Sequence, residues 1–107
     1  MKTLRISFLH LAPVTNEIEH NRKLVEHGVK VAAEQGAQWV VTPELCIPGY
    51  LFMKTIGTDW ILPQPDPWMD GFLDLVKQHG LTVFLSHPER DPATDKMYNT
   101  VFVIDSK

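Results

Sequence analysis

The run WVVTPELCIPGY, Trp39 to Tyr50, decides how the chain folds. Trp39, Val40 and Val41 are apolar on both faces, as a strand covered on both sides requires. Pro43 closes the run, Glu44 follows it, and Cys46, the chain's single cysteine, stands two places further on. Just before it, NEIEHNRKLVEHGVKVAAEQGA (residues 16–37) reads as a helix. Ile18, Val25, Val29 and Ala32 recur at helical spacing, and Leu24 and Ala33 widen the stripe. Asn16 is the expected cap, Glu19 completes a capping box, and Gly36 supplies a left-handed exit. Glu19/Lys23 and Glu26/Lys30 are spaced as ion pairs on the wet face.

Outward from that unit, LRISFLHLAP (residues 4–13) alternates as a strand that ends at Pro13. Strand, helix, strand at this length is a βαβ unit. Downstream, a proline-punctuated loop runs from Cys46 to Pro65. A second helix follows, with Asp66 as cap, Pro67 in the first turn, and Trp68, Met69, Phe72, Leu75 and Val76 inward. Gly80 ends it, LTVFLS gives a third strand and NTVFVID a fourth. The fold class is α/β, with about four strands, two main helices and a largely parallel sheet. The sequence stops at VIDSK, half a turn after a strand, so the chain reads as cut from something longer.

Bulk properties narrow the function. A chain of 107 residues can enclose one core, and 44% apolar content is ordinary for a globular protein. Net charge is −3 with acids and bases mixed, and no basic stripe is present to hold a phosphate backbone, so nucleic acid is not expected. No apolar run approaches the ~18 residues of a membrane span. Arg5, Ser7 and His10 interrupt the N-terminal apolar stretch, which suits a strand better than a signal peptide. One cysteine forms no internal disulfide, in keeping with a cytoplasmic location. His10, His20, His27, His79 and His87 lack ligand spacing, so no metal is expected. HLAPVTNE (residues 10–17), after the first strand, lacks the glycines of a nucleotide-binding loop.

Glu44 and Cys46 remain. In open α/β sheets the functional crevice lies beyond the carboxyl ends of the strands, where Glu44 falls. An apolar surround there would raise its pKa into the range of a proton shuttle. Against this stands a glutamate that merely caps a turn. Cys46 leads into a proline turn rather than a helix N-terminus, so nothing stabilises a thiolate, and it reads as a small apolar core side chain.

Five segments in order, RISFLHLAPV, AAEQGAQWVVTPELCIPGY, VFLSHPERD and YNTVFVID with the asparagine of the first helix, resemble the N-terminal part of the nitrilase, or carbon–nitrogen hydrolase, superfamily. The resemblance implies that residues 1–107 are the front portion of an α-β-β-α sandwich. Glu44, in PEL, matches the glutamate that serves the family as general base. The family's lysine and cysteine lie beyond YNTVFVID. Lys107 comes too early to be that lysine, and Cys46 stands where the family has an apolar residue. His10 stands where members commonly have Gln.

The resemblance further implies hydrolysis of a small nitrile or amide without a cofactor. The family's thiolate attacks carbon, a thioester forms, and water releases the acid. Tyr50, Phe52 and Met53 in IPGYLFMKTIG are expected at the substrate pocket, and Asn99 as a supporting hydrogen-bond donor. His87, Glu89 and Arg90 follow the third strand near the crevice, the last two as a solvated loop. With one of three catalytic side chains, the 107 residues alone are expected to be inactive. An apolar sheet face built to meet a second sheet is expected to drive homo-oligomerisation. The other reading is a non-catalytic α/β binding or interaction module that kept the same front half.

Overall fold

Alternation and helical periodicity resolve into four strands and two long helices. The computed structural model describes residues 2–107. In chain order these are β1 (Ile6–Phe8), α1 (Ile18–Glu34), β2 (Trp39–Val41), α2 (Pro67–His79), β3 (Thr82–Arg90) and β4 (Met97–Ile104), with a single 3-10 turn at Phe52–Lys54. The sheet order is β1-β2-β3-β4. The first three strands run parallel, β2 being reached through α1 and β3 through α2, whereas β4 returns antiparallel after a short turn. The sheet is thus mixed.

Both helices cover one face. Val25 and Val29 of α1 and Phe72 and Val76 of α2 meet Val40, Val83, Leu85 and Ile104 of the sheet, all buried. Burying such side chains stabilises the fold by about 1.5–3 kcal/mol each, which sets register in strands whose faces alternate. The opposite face is bare among the described residues. Ile6, Phe8, Trp39, Val101 and Val103 are all exposed there, so β2 is covered on one side rather than two.

The second helix starts as its sequence requires. The Asp66 carboxylate accepts from the Met69 amide at 2.8 Å, Pro67 sits in the first turn, and Gly80 leaves at φ +65°. Gly36 likewise exits α1 at φ +85°. The start of α1 differs from expectation. Asn16 has φ +76°, outside the extended region an N-cap occupies, and its amide bonds Pro48 O instead. Glu17 takes the cap position without a side-chain bond.

Asn21 does the joining. Fully buried on α1, it accepts from the Val14 amide and donates to the carbonyls of Val14 and Ile47. One amide side chain thereby ties the helix to the loop before it and to the turn after β2. The expected i,i+4 pairs are replaced as well. Glu19 pairs with Arg22, and Glu26 accepts from the Trp68 indole at 3.2 Å.

Strand β3 is longer than LTVFLS and runs through Pro88. β2 pairs only as far as Phe84, so at Pro88 only β4 lies alongside, a position that tolerates a residue without an N–H. Glu89 and Arg90, expected as a solvated loop, belong to the strand. Glu89 accepts from the Thr100 hydroxyl. Arg90 donates to the carbonyls of Ile61 and Thr58 and pairs with Asp95, clamping the loop that precedes α2.

Candidate active site

Beyond the carboxyl end of β2, alongside the middle of β3, the chain folds into a tight turn held by hydroxyls. The Thr42 amide donates to Phe84 O, Thr42 Oγ1 accepts from the Ser86 amide, and Ser86 Oγ accepts from the Leu45 amide at 2.9 Å. Leu45 has φ +49°, a left-handed conformation that costs a branched side chain about 1–3 kcal/mol and persists only when its surroundings dictate it. Gly49 closes the turn by donating to Leu45 O.

That turn separates three consecutive side chains. Glu44 is exposed, Leu45 is half-buried and Cys46 is buried. In an extended chain Glu44 and Cys46 would share a face, but here they do not. Burial pushes the Cys46 thiol pKa up, and a hydrogen bond to Thr42 offsets this only in part. A protonated thiol in the core is a poor nucleophile.

Glu44 looks into a crevice of about 300 Å3 whose walls include Val41, Thr42, Ser86, Asn99 and Val101. Asn99 Nδ2 donates to Glu44 Oε1 at 2.9 Å, joining β4 to the turn. The surround is thus mixed and open, not the apolar enclosure the sequence suggested. Beside it, sharing Val41 and Thr42, a second cavity of about 450 Å3 is lined by Phe8, His10 and Pro43 among others. Thr42 and Ser86 escaped the sequence reading, although a hydroxyl at the end of each of two adjacent strands was the available signal.

The other predicted residues separate. Phe52 is 4% exposed, packs edge-on against Trp60 and, with Met53, lines a third cavity that also reaches Asn99. Tyr50 is 65% exposed and lines none of these three. His87 is not at the crevice. Its odd-numbered place on β3 turns it to the helix side, fully buried and stacked on Trp68 at 5.8 Å. Its Nδ1 meets Pro88 O, and its Nε2 has no partner. Among the described residues no group of three His, Cys, Asp or Glu side chains is placed to hold a metal ion. No described helix is long and apolar enough to cross a membrane.

The model of the Carbon-nitrogen hydrolase family matches residues 5–107. A curated relative, the glutamine-dependent NAD(+) synthetase of Thermotoga maritima, is 27% identical over 104 residues, covering 97% of this chain and 18% of its own length. Among solved structures, Saccharomyces cerevisiae Nit3, a member of branch 10 of the nitrilase superfamily, superposes with a TM-score of 0.81 at 18% identity, over 96% of this chain and 40% of that one. A glutamate-to-leucine mutant of the amidase from Nesterenkonia sp. AN1, with the acetamide moiety of fluoroacetamide added covalently at its active site cysteine, gives a TM-score of 0.72 at 22% identity. It is matched over 96% of this chain and 38% of its own. The chain therefore spans less than half the length of each.

Proposed function

The chain belongs to the carbon–nitrogen hydrolase family, and from that premise we propose that it supplies the general base of a thiol-dependent hydrolase acting on non-peptide C–N bonds. The observation that carries this reading is Glu44 itself. It stands at the carboxyl end of a parallel strand, in an open crevice, oriented by Asn99, while the nearby Cys46 is turned into the core.

In this reading Glu44 takes the proton of a cysteine supplied by polypeptide outside these residues, and the thiolate attacks the carbonyl carbon. The C–N bond breaks as the amine or ammonia takes that proton, leaving a thioester. Glu44 then takes a proton from water, whose oxygen attacks the thioester carbon and releases the acid and the thiol. A lysine cation, also from outside, would stabilise the developing negative charge. Residues 1–107 alone would not turn over, because members of such a catalytic set act as a unit.

The relatives favour amides over nitriles as substrates. One is named for its dependence on glutamine, a primary amide, and another holds an acetamide moiety on its cysteine. The bare apolar face supports self-association of the assembled protein or cover by a further layer. The test is ammonia release from amides and nitriles by the full-length polypeptide and its Glu44→Gln variant. Activity lost in the variant by about 100- to 10,000-fold supports the reading. An unchanged rate overturns it, as would ammonia released by the 107 residues alone for the inactivity. No turnover by the full-length protein would favour the non-catalytic binding module.

A further inference from the structure

Where β2 leaves β3, two hydroxyls take over from the backbone ladder. The register between the strands ends at Val41 and Phe84, and the Thr42 amide adds one last bond to Phe84 O at 3.0 Å. Pro43 has no N–H with which to continue. From there the contacts pass through side chains, and they converge on Ser86. The Ser86 amide donates to Thr42 Oγ1 at 3.0 Å, and Ser86 Oγ accepts from the Leu45 amide at 2.9 Å. Residues 42 and 45 are thus fastened to one residue of β3, and Glu44 lies between them. Ser86 is 4% exposed and Thr42 8%, so water competes little for either bond.

That bracket matters because Glu44 is itself exposed, with its carboxylate held by the bond from Asn99. The Asn99 bond can orient the carboxylate only if the main chain beneath it stays in place. That main chain is bent against its preference. Leu45, at φ +49°, would relax towards the extended or right-handed regions once its amide lost the Ser86 acceptor. Such a relaxation turns residue 44 as well, because the two residues share a rigid peptide plane. We infer that Ser86 is a positioning residue for the base: its hydroxyl holds the left-handed turn that presents Glu44 to the crevice, of which Ser86 is itself one wall. The inference rests on the proposed hydrolase reading and deepens it. Asn99 orients the carboxylate, Ser86 fixes the main chain that carries it, and the effect of Ser86 on the reaction runs through Glu44.

The experiment measures kcat and KM for acetamide with the full-length polypeptide carrying Ser86→Ala, Ser86→Thr, Thr42→Val or Thr42→Ser. Each variant is assayed at a temperature at which far-UV circular dichroism shows it fully folded. A role in stability alone would then shift the thermal midpoint and leave kcat unchanged. In Ser86→Ala kcat is expected to fall about tenfold, the upper end for one neutral hydrogen bond, with KM within about twofold of the parent. Ser86→Thr, which keeps the hydroxyl, is expected to recover most of that loss. Thr42→Val is expected to act in the same direction and Thr42→Ser to recover. Ser86→Ala and Thr42→Val together should cost less than the product of the two, because both release one turn. A kcat within about twofold of the parent in both Ser86→Ala and Thr42→Val overturns the positioning role. So does a loss in Ser86→Ala that Ser86→Thr leaves in place. Failure of both Ser86→Ala and Thr42→Val to fold assigns the hydroxyls to stability and overturns it too. Glu44→Gln separates this inference from the reading beneath it. If Glu44→Gln abolishes turnover while Ser86→Ala leaves kcat intact, the base stands and the positioning role falls. If Glu44→Gln turns over at the parent rate, both fall.

Discussion

Asn99 and Glu44 lie 55 positions apart in sequence, yet the Asn99 amide reaches the Glu44 carboxylate at 2.9 Å. The bond depends on β4 folding back antiparallel on β3, which sets Asn99 opposite Pro88. In the proposed mechanism it orients the base without itself touching the reacting bond. Asn99→Ala is therefore expected to lower kcat roughly tenfold, the low end for a bond to a charged group because the pair is exposed. KM for acetamide should move little. Steady-state kinetics of the full-length protein check it, and a change confined to KM would contradict it.

Position 49 should not accept a side chain. Gly49 has φ +81°, and an added Cβ would meet Thr15 Oγ1 at 2.9 Å and the Thr15 Cα at 3.0 Å. Gly49→Ala should destabilise the protein by about 1–3 kcal/mol. Gly71→Ala offers the opposite sign. It lies in α2 with nothing within 4 Å of the added Cβ, so the substitution should stabilise by about 0.5–1 kcal/mol. Paired thermal melts of the two variants check both signs.

Asn21→Leu tests the amide that ties α1 to the loop before it and to the turn after β2. It would strand the Ile47 carbonyl in a buried setting and the Val14 amide and carbonyl in a partly buried one. An unsatisfied buried group costs about 1–3 kcal/mol. A loss near the upper end of that range is expected in the denaturant midpoint, and a change under a few tenths of a kcal/mol would refute the assignment.

His87 should make stability fall in acid. Burial lowers its pKa below the ordinary 6.5, and the bond to Pro88 O and the nearby Asp66 and Glu89 carboxylates oppose that shift only in part. Arg22, stacked over Trp68, adds to the lowering. The unfolded chain therefore binds the proton more readily. The His87 contribution is fully present above pH ~6.5 and is lost as pH falls from there towards the folded value, with a slope of at most about 1.4 kcal/mol per pH unit. Denaturant midpoints at pH 7.5 and pH 5 should differ less in His87→Phe than in the parent.

Legibility in the sequence followed the range of the forces involved. Helix α2 could be read to the residue, because Asp66, Pro67 and Gly80 act on their own neighbours. The start of α1 could not. Asn16 has the right side chain for a cap, but its backbone is committed to Pro48, 32 positions away. The place of Glu44 just past β2 is legible from the end of the apolar run and its proline. What surrounds it is not, because the Thr42, Ser86 and Leu45 bonds join segments that only the sheet brings together. His87 differs for a simpler reason: LTVFLS stops at Ser86, whereas β3 carries its alternation one residue further and puts His87 with Val83 and Leu85.

The left-handed backbone at position 45 links two properties that usually vary independently. Glycine there would relieve the main chain but hollow out the cavity that Leu45 lines with Met53 and Met97. A bulkier or β-branched residue would reshape that cavity only by worsening the torsion. Changes in the shape of this cavity should therefore accumulate at positions 53 and 97, leaving 45 nearly silent.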